Sequence, residues 1–321
     1  MSTDRTLTSM RSRTLYTVAA GLAVAGAATL AYASLVERNL YTLRRFDVPV
    51  LPPGAEPLRI LHLSDLHLMP AQRRKQDWVA DLAGLDPDLV VITGDNMAHP
   101  DAVPGLTRAY GPLLDYPGAF VFGSNDYAGP VFKNPLTYFN KDREYVQGVD
   151  LPFEDLRRLF TDAGWADLNN ARTTLKAGGR TIELVGVDDP HIHRDNYAAV
   201  AGTVDSTADI HLGVTHTPEP SLLDDMAADG FTLLLAGHTH GGQVCVPGVG
   251  ALVTNCGLDR HLPKGLHRWR AGFLPGTPAG TGRASSVGTW LHVSAGLGTH
   301  PTAPVRFACR PEASLLTLVA R

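Results

Sequence analysis

The chain has 321 residues, 44% apolar and 19% charged. That composition excludes a disordered or collagen-like chain and leaves room for one large domain or two small ones. The net charge of −4 is unevenly divided: residues 1–45 hold six Arg against Asp4 and Glu37, a surplus of four, so the other 276 residues carry −8. Such an acidic body argues against nonspecific nucleic-acid binding, which needs a basic surface to displace counterions, and no nucleic-acid partner is expected.

A short basic head, residues 1–13, precedes an uncharged run at 14–36. As a helix, those 23 residues span about 34 Å, slightly more than a bilayer's hydrocarbon core. The run reads as an uncleaved membrane anchor. A signal peptide is the alternative, because Ala31-Tyr32-Ala33 has the small-x-small form of a cleavage site. Arg5, Arg11 and Arg13 before the run nearly balance Arg38, Arg44 and Arg45 after it. The default for a short head is therefore adopted, with the N-terminus inside and the body extracytoplasmic at the cell membrane. Residues 37–56, with prolines at 49, 52 and 53, are expected to form a linker, and residues 57–321 a single domain.

From residue 57 onward strands alternate with helices. Residues 59–64, 89–93 and 118–122 read as strands, with a helix at 75–85 marked by Trp78, Leu82 and Leu85. Residues 181–187, 209–215, 231–237 and 314–320 continue the strand series, and a helix follows Pro220. The pattern predicts an α/β fold with helices packed on sheet faces. Cys245, Cys256 and Cys309 show no metal-binding spacing. They read as small core residues, with a single disulfide as the alternative.

Most of these strands end in a candidate ligand. The first runs into Asp65 and His67, the second into Asp95, the third into Asn125, a later one into His216, and another into His238 and His240. Asp65, Asp95 and Asn125 are spaced 30 residues apart, one strand–helix–strand unit each time. Topology then gathers them at the carboxyl ends of neighbouring strands, where open α/β sheets hold ligands. Carboxylates, imidazoles and one carboxamide suit divalent ions of intermediate hardness, such as Mn, Fe or Zn. Seven candidates exceed what one open catalytic ion requires, so two ions with a shared carboxylate are expected.

In order, the DLH, GDN, GSND, lone His216 and GHTHGGQ motifs resemble the calcineurin-like metallophosphoesterases, with wording closest to a membrane-anchored bacterial phosphodiesterase branch. The resemblance covers residues 57–321. It implies a layered β-sandwich flanked by helices and hydrolysis of a phosphodiester or pyrophosphate by a hydroxide bridging two divalent ions. It also implies that Asp65, His67 and His240 hold one ion, that Asn125, His216 and His238 hold the other, and that Asp95 bridges. The family usually has Gly-Asn-His-(Asp/Glu) where this chain has Gly123-Ser124-Asn125-Asp126. A one-residue slip is preferred, which keeps Asn125 on the metal and brings Asp126 to the position of the His. Either register removes the usual general acid, so leaving groups of low pKa are expected to be favoured.

Asp126, Asp189, His191 and Gln243 are candidate substrate contacts, with a simple turn as the alternative for residues 188–191, and His62 reads as structural. The Gly-rich stretch 293–298 is expected to pack near the metals. The aromatics Tyr127, Phe132, Tyr138, Phe139 and Tyr145 are expected to cover the site, rest on a membrane or pack on the sheet edge. The substrate expected is a phosphoester, lipid-linked or nucleotide. The competing reading is a noncatalytic metal-containing scaffold that binds a partner protein.

Overall fold

The computed structural model describes residues 3–131, 148–270 and 288–321, with side chains from residue 16 onward. Helix α1 (Thr3–Ala31) continues through a π turn at Tyr32–Val36 and a 3-10 turn at Glu37–Asn39. Within it, Tyr16–Asn39 is 24 residues long with a mean hydropathy of 1.7. That segment is long and apolar enough to cross a membrane, by length and composition.

Two six-stranded sheets follow. The first has the order β1 (Thr42–Leu51), β14 (Glu312–Ala320), β2 (Leu58–Leu63), β3 (Leu89–Thr93), β4 (Gly118–Val121), β5 (Ala166–Asp167). The second has the order β12 (Gly265–Trp269), β13 (Thr289–Val293), β9 (Leu233–Ala236), β8 (Ile210–Val214), β7 (Arg180–Gly186), β6 (Ala171–Ala177). A two-stranded hairpin, β10 (Cys245–Val246) and β11 (Gly250–Ala251), stands apart.

Strand alternation explains the layers. Leu58, Ile60, Leu89 and Val91 meet Ile182, Leu212 and Leu235 between the sheets. Leu61, Leu63, Val90 and Ile92 point the other way, into the core with Leu106 and Tyr110 of α3 (Val103–Tyr110), Val79 of α2 (Arg73–Ala80) and Phe160 of α5 (Phe153–Thr161). On the far side Leu234 and Leu291 pack on Leu223 and Met226 of α6 (Pro220–Asp229). Central strands covered on both faces become nearly continuous apolar runs, which is why LVVIT and LLLA are readable in the sequence. The expected layered α/β sandwich is the observed architecture.

Part of the expected linker is instead a sheet edge. Thr42–Leu51 pairs in parallel with β14, and its side chains Val48 and Leu51 are buried. Proline is tolerated there because an edge strand has one side free of ladder hydrogen bonds, and the register shifts just after Pro49. Of the expected aromatic cover, Phe132, Tyr138, Phe139 and Tyr145 lie outside the described residues. Tyr127 packs edge-on against Phe122 and Phe153, with centroids 5.7 and 4.9 Å away, and its hydroxyl donates to Asp188.

Phe160 fastens α5 to the first sheet: its ring lies 4.8 Å from Phe120 and 5.6 Å from Tyr110 and stacks 5.2 Å from Trp165. Phe160→Ala should lower stability by about 3–5 kcal/mol, the usual cost of an aromatic cavity, read from the shift in the urea unfolding midpoint at constant slope.

Candidate metal centre

Strand ends deliver the donors. Asp65 and His67 follow β2, Asp95 follows β3, Asn125 lies in the short helix α4 (Ser124–Tyr127) after β4, His216 follows β8, and His238 and His240 follow β9. Both sheets therefore contribute to one edge of the sandwich. Asp65, His67, Asp95, His238 and His240 all have φ between 42° and 67°. Left-handed backbone costs an ordinary residue roughly 1–3 kcal/mol and persists where surrounding structure imposes it. The neighbouring turns impose it here. Asp65 N donates to Gly94 O, His67 N to Asp95 O, and Gly298 N to Asp65 O.

Ligand atoms of Asp65, His67 and His240 lie within 4.8 Å of one another, as do those of Asp65, Asp95 and His216. His67 Nε2 is 3.2 Å from His240 Nε2. Asp95 Oδ2 stands 3.5 Å from His67 Nε2 and 3.4 Å from His216 Nε2. Asn125 holds both Asp95 oxygens, donating from its main-chain N and from its amide at 2.8 Å each. The His238 ring lies edge-on to His216, with centroids 5.2 Å apart.

Two of the imidazoles are oriented as ligands. His216 Nδ1 donates to the Thr93 carbonyl at 2.6 Å, leaving the Nε2 lone pair free for a cation. His238 Nε2 donates to Asn255 O at 3.2 Å, which leaves Nδ1. Among the described residues Asp65 Oδ1 is buried with no hydrogen-bond partner. An orphaned acceptor of this kind is costly unless a cation meets it. The donor set therefore fits divalent metal.

Two glycines make the approach possible. A Cβ on Gly123 would strike Asp95 Oδ1 and His216 Nε2, and one on Gly237 would strike Ser64 Oγ and Asp65 Oδ2. The Gly-rich stretch packs where expected: Leu297 N donates to Ser64 O, and Gly298 N to Asp65 O. His62 lies buried between the sheets, bonded to His292 and Thr93 at 2.8 and 2.9 Å.

Three expected substrate contacts need correction. Asp126 is fully buried, and its carboxylate accepts from the N–H groups of Gly123, Asp95, Asn96 and Met97 and from the Asn96 amide. It is a clamp on the Asp95 turn rather than a group facing substrate. Asp189 is equally buried, accepting from Ser124 N, His191 N and Thr217 Oγ1. Gln243 turns away and donates to Ala303 O at 2.9 Å. His191 alone among the four stays at the centre, its ring 4.8 Å from that of His238.

Other contributors had no motif to mark them. Arg306 is fully buried yet donates chiefly to carbonyls, including those of Gly298 at 2.6 Å and Ala295 at 2.7 Å. His240 Nδ1 shares the Gly298 carbonyl at 3.3 Å. His300 sets its ring 6.2 Å from His67. The cysteines are free thiols, with Cys245 and Cys309 both buried against Gly241 O.

The calcineurin-like phosphoesterase family matches residues 58–242, more than half of the chain. The chain belongs to this family. This phosphoesterase is 28% identical over 221 residues to the uncharacterized metallophosphoesterase YkoQ of Bacillus subtilis, covering 67% of this chain and 73% of that one. It is 25% identical over 318 residues to the phosphodiesterase YaeI of Escherichia coli, covering 97% and 100%. A transmembrane protein with metallophosphoesterase domain from Danio rerio is 27% identical over 232 residues, covering 67% of this chain and 48% of that one. The protein is a metal-dependent phosphoric ester hydrolase.

Without metal, protons occupy part of this phosphoesterase's ligand set. Burial lowers the His216 imidazole, but the Asp95 and Asp189 carboxylates together outweigh it and hold the group well above the usual range. Burial pushes Asp65 up to about 6. Burial depresses His67 and His238 to about 3, so both are neutral and ready to ligate. Metal entry must therefore displace protons from Asp65 and His216, and affinity should rise as pH climbs through about 6 and beyond. Calorimetric titration of the apoprotein with Mn, in buffers of differing ionisation enthalpy, should report proton release at pH 6 that shrinks as the pH rises.

Proposed function

We propose that the enzyme is a phosphodiesterase or pyrophosphatase working through two divalent ions, Mn, Fe or Zn. In this reading Asp65, His67 and His240 hold one ion, Asn125, His216 and His238 hold the other, and Asp95 is shared. The observation that carries it is the position of Asp95 Oδ2, 3.5 Å from one His of the first set and 3.4 Å from one His of the second. When bound, such a pair supplies Lewis acidity toward phosphoryl oxygens and a nucleophilic oxygen at neutral pH.

The chain's own residues do the rest. Asn125 fixes the orientation of Asp95, and the Thr93 and Asn255 carbonyls set the tautomers of His216 and His238. His191 lies beside His238 and is the remaining candidate for contact with substrate. Asn125 has no titratable proton to give a departing oxygen. Aryl and phosphoryl leaving groups are accordingly favoured over alkoxides. The helix Tyr16–Asn39 anchors the protein in the cell membrane with the domain extracytoplasmic. Its length and hydropathy and the name of the Danio rerio relative support the anchor, and the side rests on the default for a short N-terminal head.

Hydrolysis of bis(p-nitrophenyl) phosphate by the full chain should require added Mn and stop with chelator. Asp95→Asn should cost about a thousandfold in kcat, the scale of losing a charge-stabilising group at the centre, and His238→Ala should lose bound metal by elemental analysis. Full metal occupancy with unimpaired turnover in Asp95→Asn would refute the shared-carboxylate assignment. A second outcome concerns leaving groups: aryl phosphodiesters should turn over faster than alkyl ones, and equal rates would show that another group supplies the proton.

A further inference from the structure

Among the described residues, exposed large hydrophobics fall in two places, with Val149 apart. One is the N-terminal helix, from Tyr16 to Val36. The other is the β10–β11 hairpin with its flanks, where Val244, Val246, Val249 and Leu252 are 38%, 40%, 58% and 48% exposed. Four aliphatic side chains facing solvent within nine residues are more than a hairpin of this size needs for its own packing.

The two places share a neighbour. The segment 303–309 lies between them. On one side Arg306 N donates to Ala33 O at 3.1 Å, Cys309 N to the Glu37 carboxylate at 2.7 Å, and Arg38 to Pro304 O at 3.5 Å. On the other, Phe307 N donates to Gln243 O at 3.1 Å, Cys245 N to Phe307 O at 2.8 Å, and Gln243 Nε2 to Ala303 O at 2.9 Å. A single extended segment thus lies between the last turn of the apolar helix and the first strand of the hairpin.

The helix exit also carries what a lipid headgroup layer favours. Tyr41 and Trp78 pair there with centroids 5.5 Å apart. Burial raises the Tyr41 phenol, and the charges of Arg74 and Arg38 act against that shift. Arg73 and Arg74 are exposed on α2. Amphipathic aromatic rings and cationic side chains at the end of an apolar span match the interface of an anionic membrane.

We infer that the β10–β11 hairpin is a second membrane contact, seating Val244, Val246, Val249 and Leu252 in the surface of the leaflet from which the helix emerges. The inference rests on the reading of Tyr16–Asn39 as a membrane span, and it commits to a lipid surface as the occupant. Seating these side chains removes the exposed aliphatic surface from water, and the span holds the hairpin at the bilayer, so the gain is realised without a separate encounter.

The test uses the full chain in phosphatidylcholine–phosphatidylglycerol vesicles, with Val249→Trp on the hairpin and Asp115→Trp as a control at the opposite edge of the first sheet. Emission in excess of the wild type is recorded with ordinary and with dibrominated phosphatidylcholine. The expected result is a blue shift and loss of most of the added emission for Val249→Trp in brominated vesicles, with the Asp115→Trp signal unchanged. Vesicle flotation and metal-dependent hydrolysis of bis(p-nitrophenyl) phosphate are measured on the same samples. Protein that floats but keeps its added emission overturns the hairpin contact and leaves the span intact. Protein that does not float overturns both. Quenching in a protein without hydrolase activity upholds the contact while refuting the catalytic reading.

Discussion

Two carboxylates and four imidazoles are crowded into a largely buried edge between two sheets, and that crowding constrains everything around them. Asp65 and Asp95 are at most 3% exposed, and among the described residues Asp65 keeps one oxygen with no hydrogen bond. Without a cation this is an unfavourable arrangement, since buried like charges repel and orphaned acceptors lose their hydration. The fold tolerates it by investing backbone strain and polar contacts in the surrounding turns. Five of the candidate ligands sit in left-handed backbone. Asp126 gathers four N–H groups of the neighbouring turns on one carboxylate. A site that is strained, short of hydrogen bonds and rigidly clamped is organised for metal rather than for its own stability.

The clamps divide labour between the sheets. Asp126 ties α4 to the turn after β3, so Asn125 and Asp95 move as one unit. Asp189 ties the end of β7 to α4 and to Thr217 after β8, which joins the two halves of the sandwich beside His216. Thr93, the last residue of β3, accepts from His216 across the same gap. The apolar layer between the sheets sets their separation, and these three links set the register of one ligand edge against the other. Loss of a clamp therefore reaches the metals by displacing ligands rather than by removing one.

How much of this could be read from sequence depends on how local each signal is. The strands Leu89–Thr93 and Leu233–Ala236 are apolar on both faces and announce themselves, and each ends at Gly followed by a donor. The roles of Asp126 and Asp189 are not legible in the sequence, because an acid beside a ligand motif looks the same whether it meets substrate or a cluster of N–H groups. Only the tertiary arrangement of turns decides that. The role of Gln243 is hidden for a related reason: its φ of 53° swings the side chain toward Ala303. Arg306 could not be found at all, because an Arg outside every motif reads as a solvated surface residue, whereas here it supports the carbonyls behind His240.

The strand β1 was hidden by distance in the chain, since its partner β14 begins at residue 312. Its presence changes the mechanics of the molecule. A proline-rich linker would let the domain sample many orientations about the end of the apolar helix. Instead the chain passes from Asn39 into a ten-residue strand in register with β14, from Thr42 opposite Glu312 to Leu51 opposite Ala320. Glu37 is buried against Cys309, and Ala33 is bonded to Arg306, so the junction itself is part of the packed domain. Arg306 also reaches the Gly298 carbonyl that His240 shares. The helix exit and the metal centre are therefore two ends of one hydrogen-bonded unit. The direction in which the centre faces relative to the helix is set by sheet register and by these bonds, not by diffusion of a tethered domain.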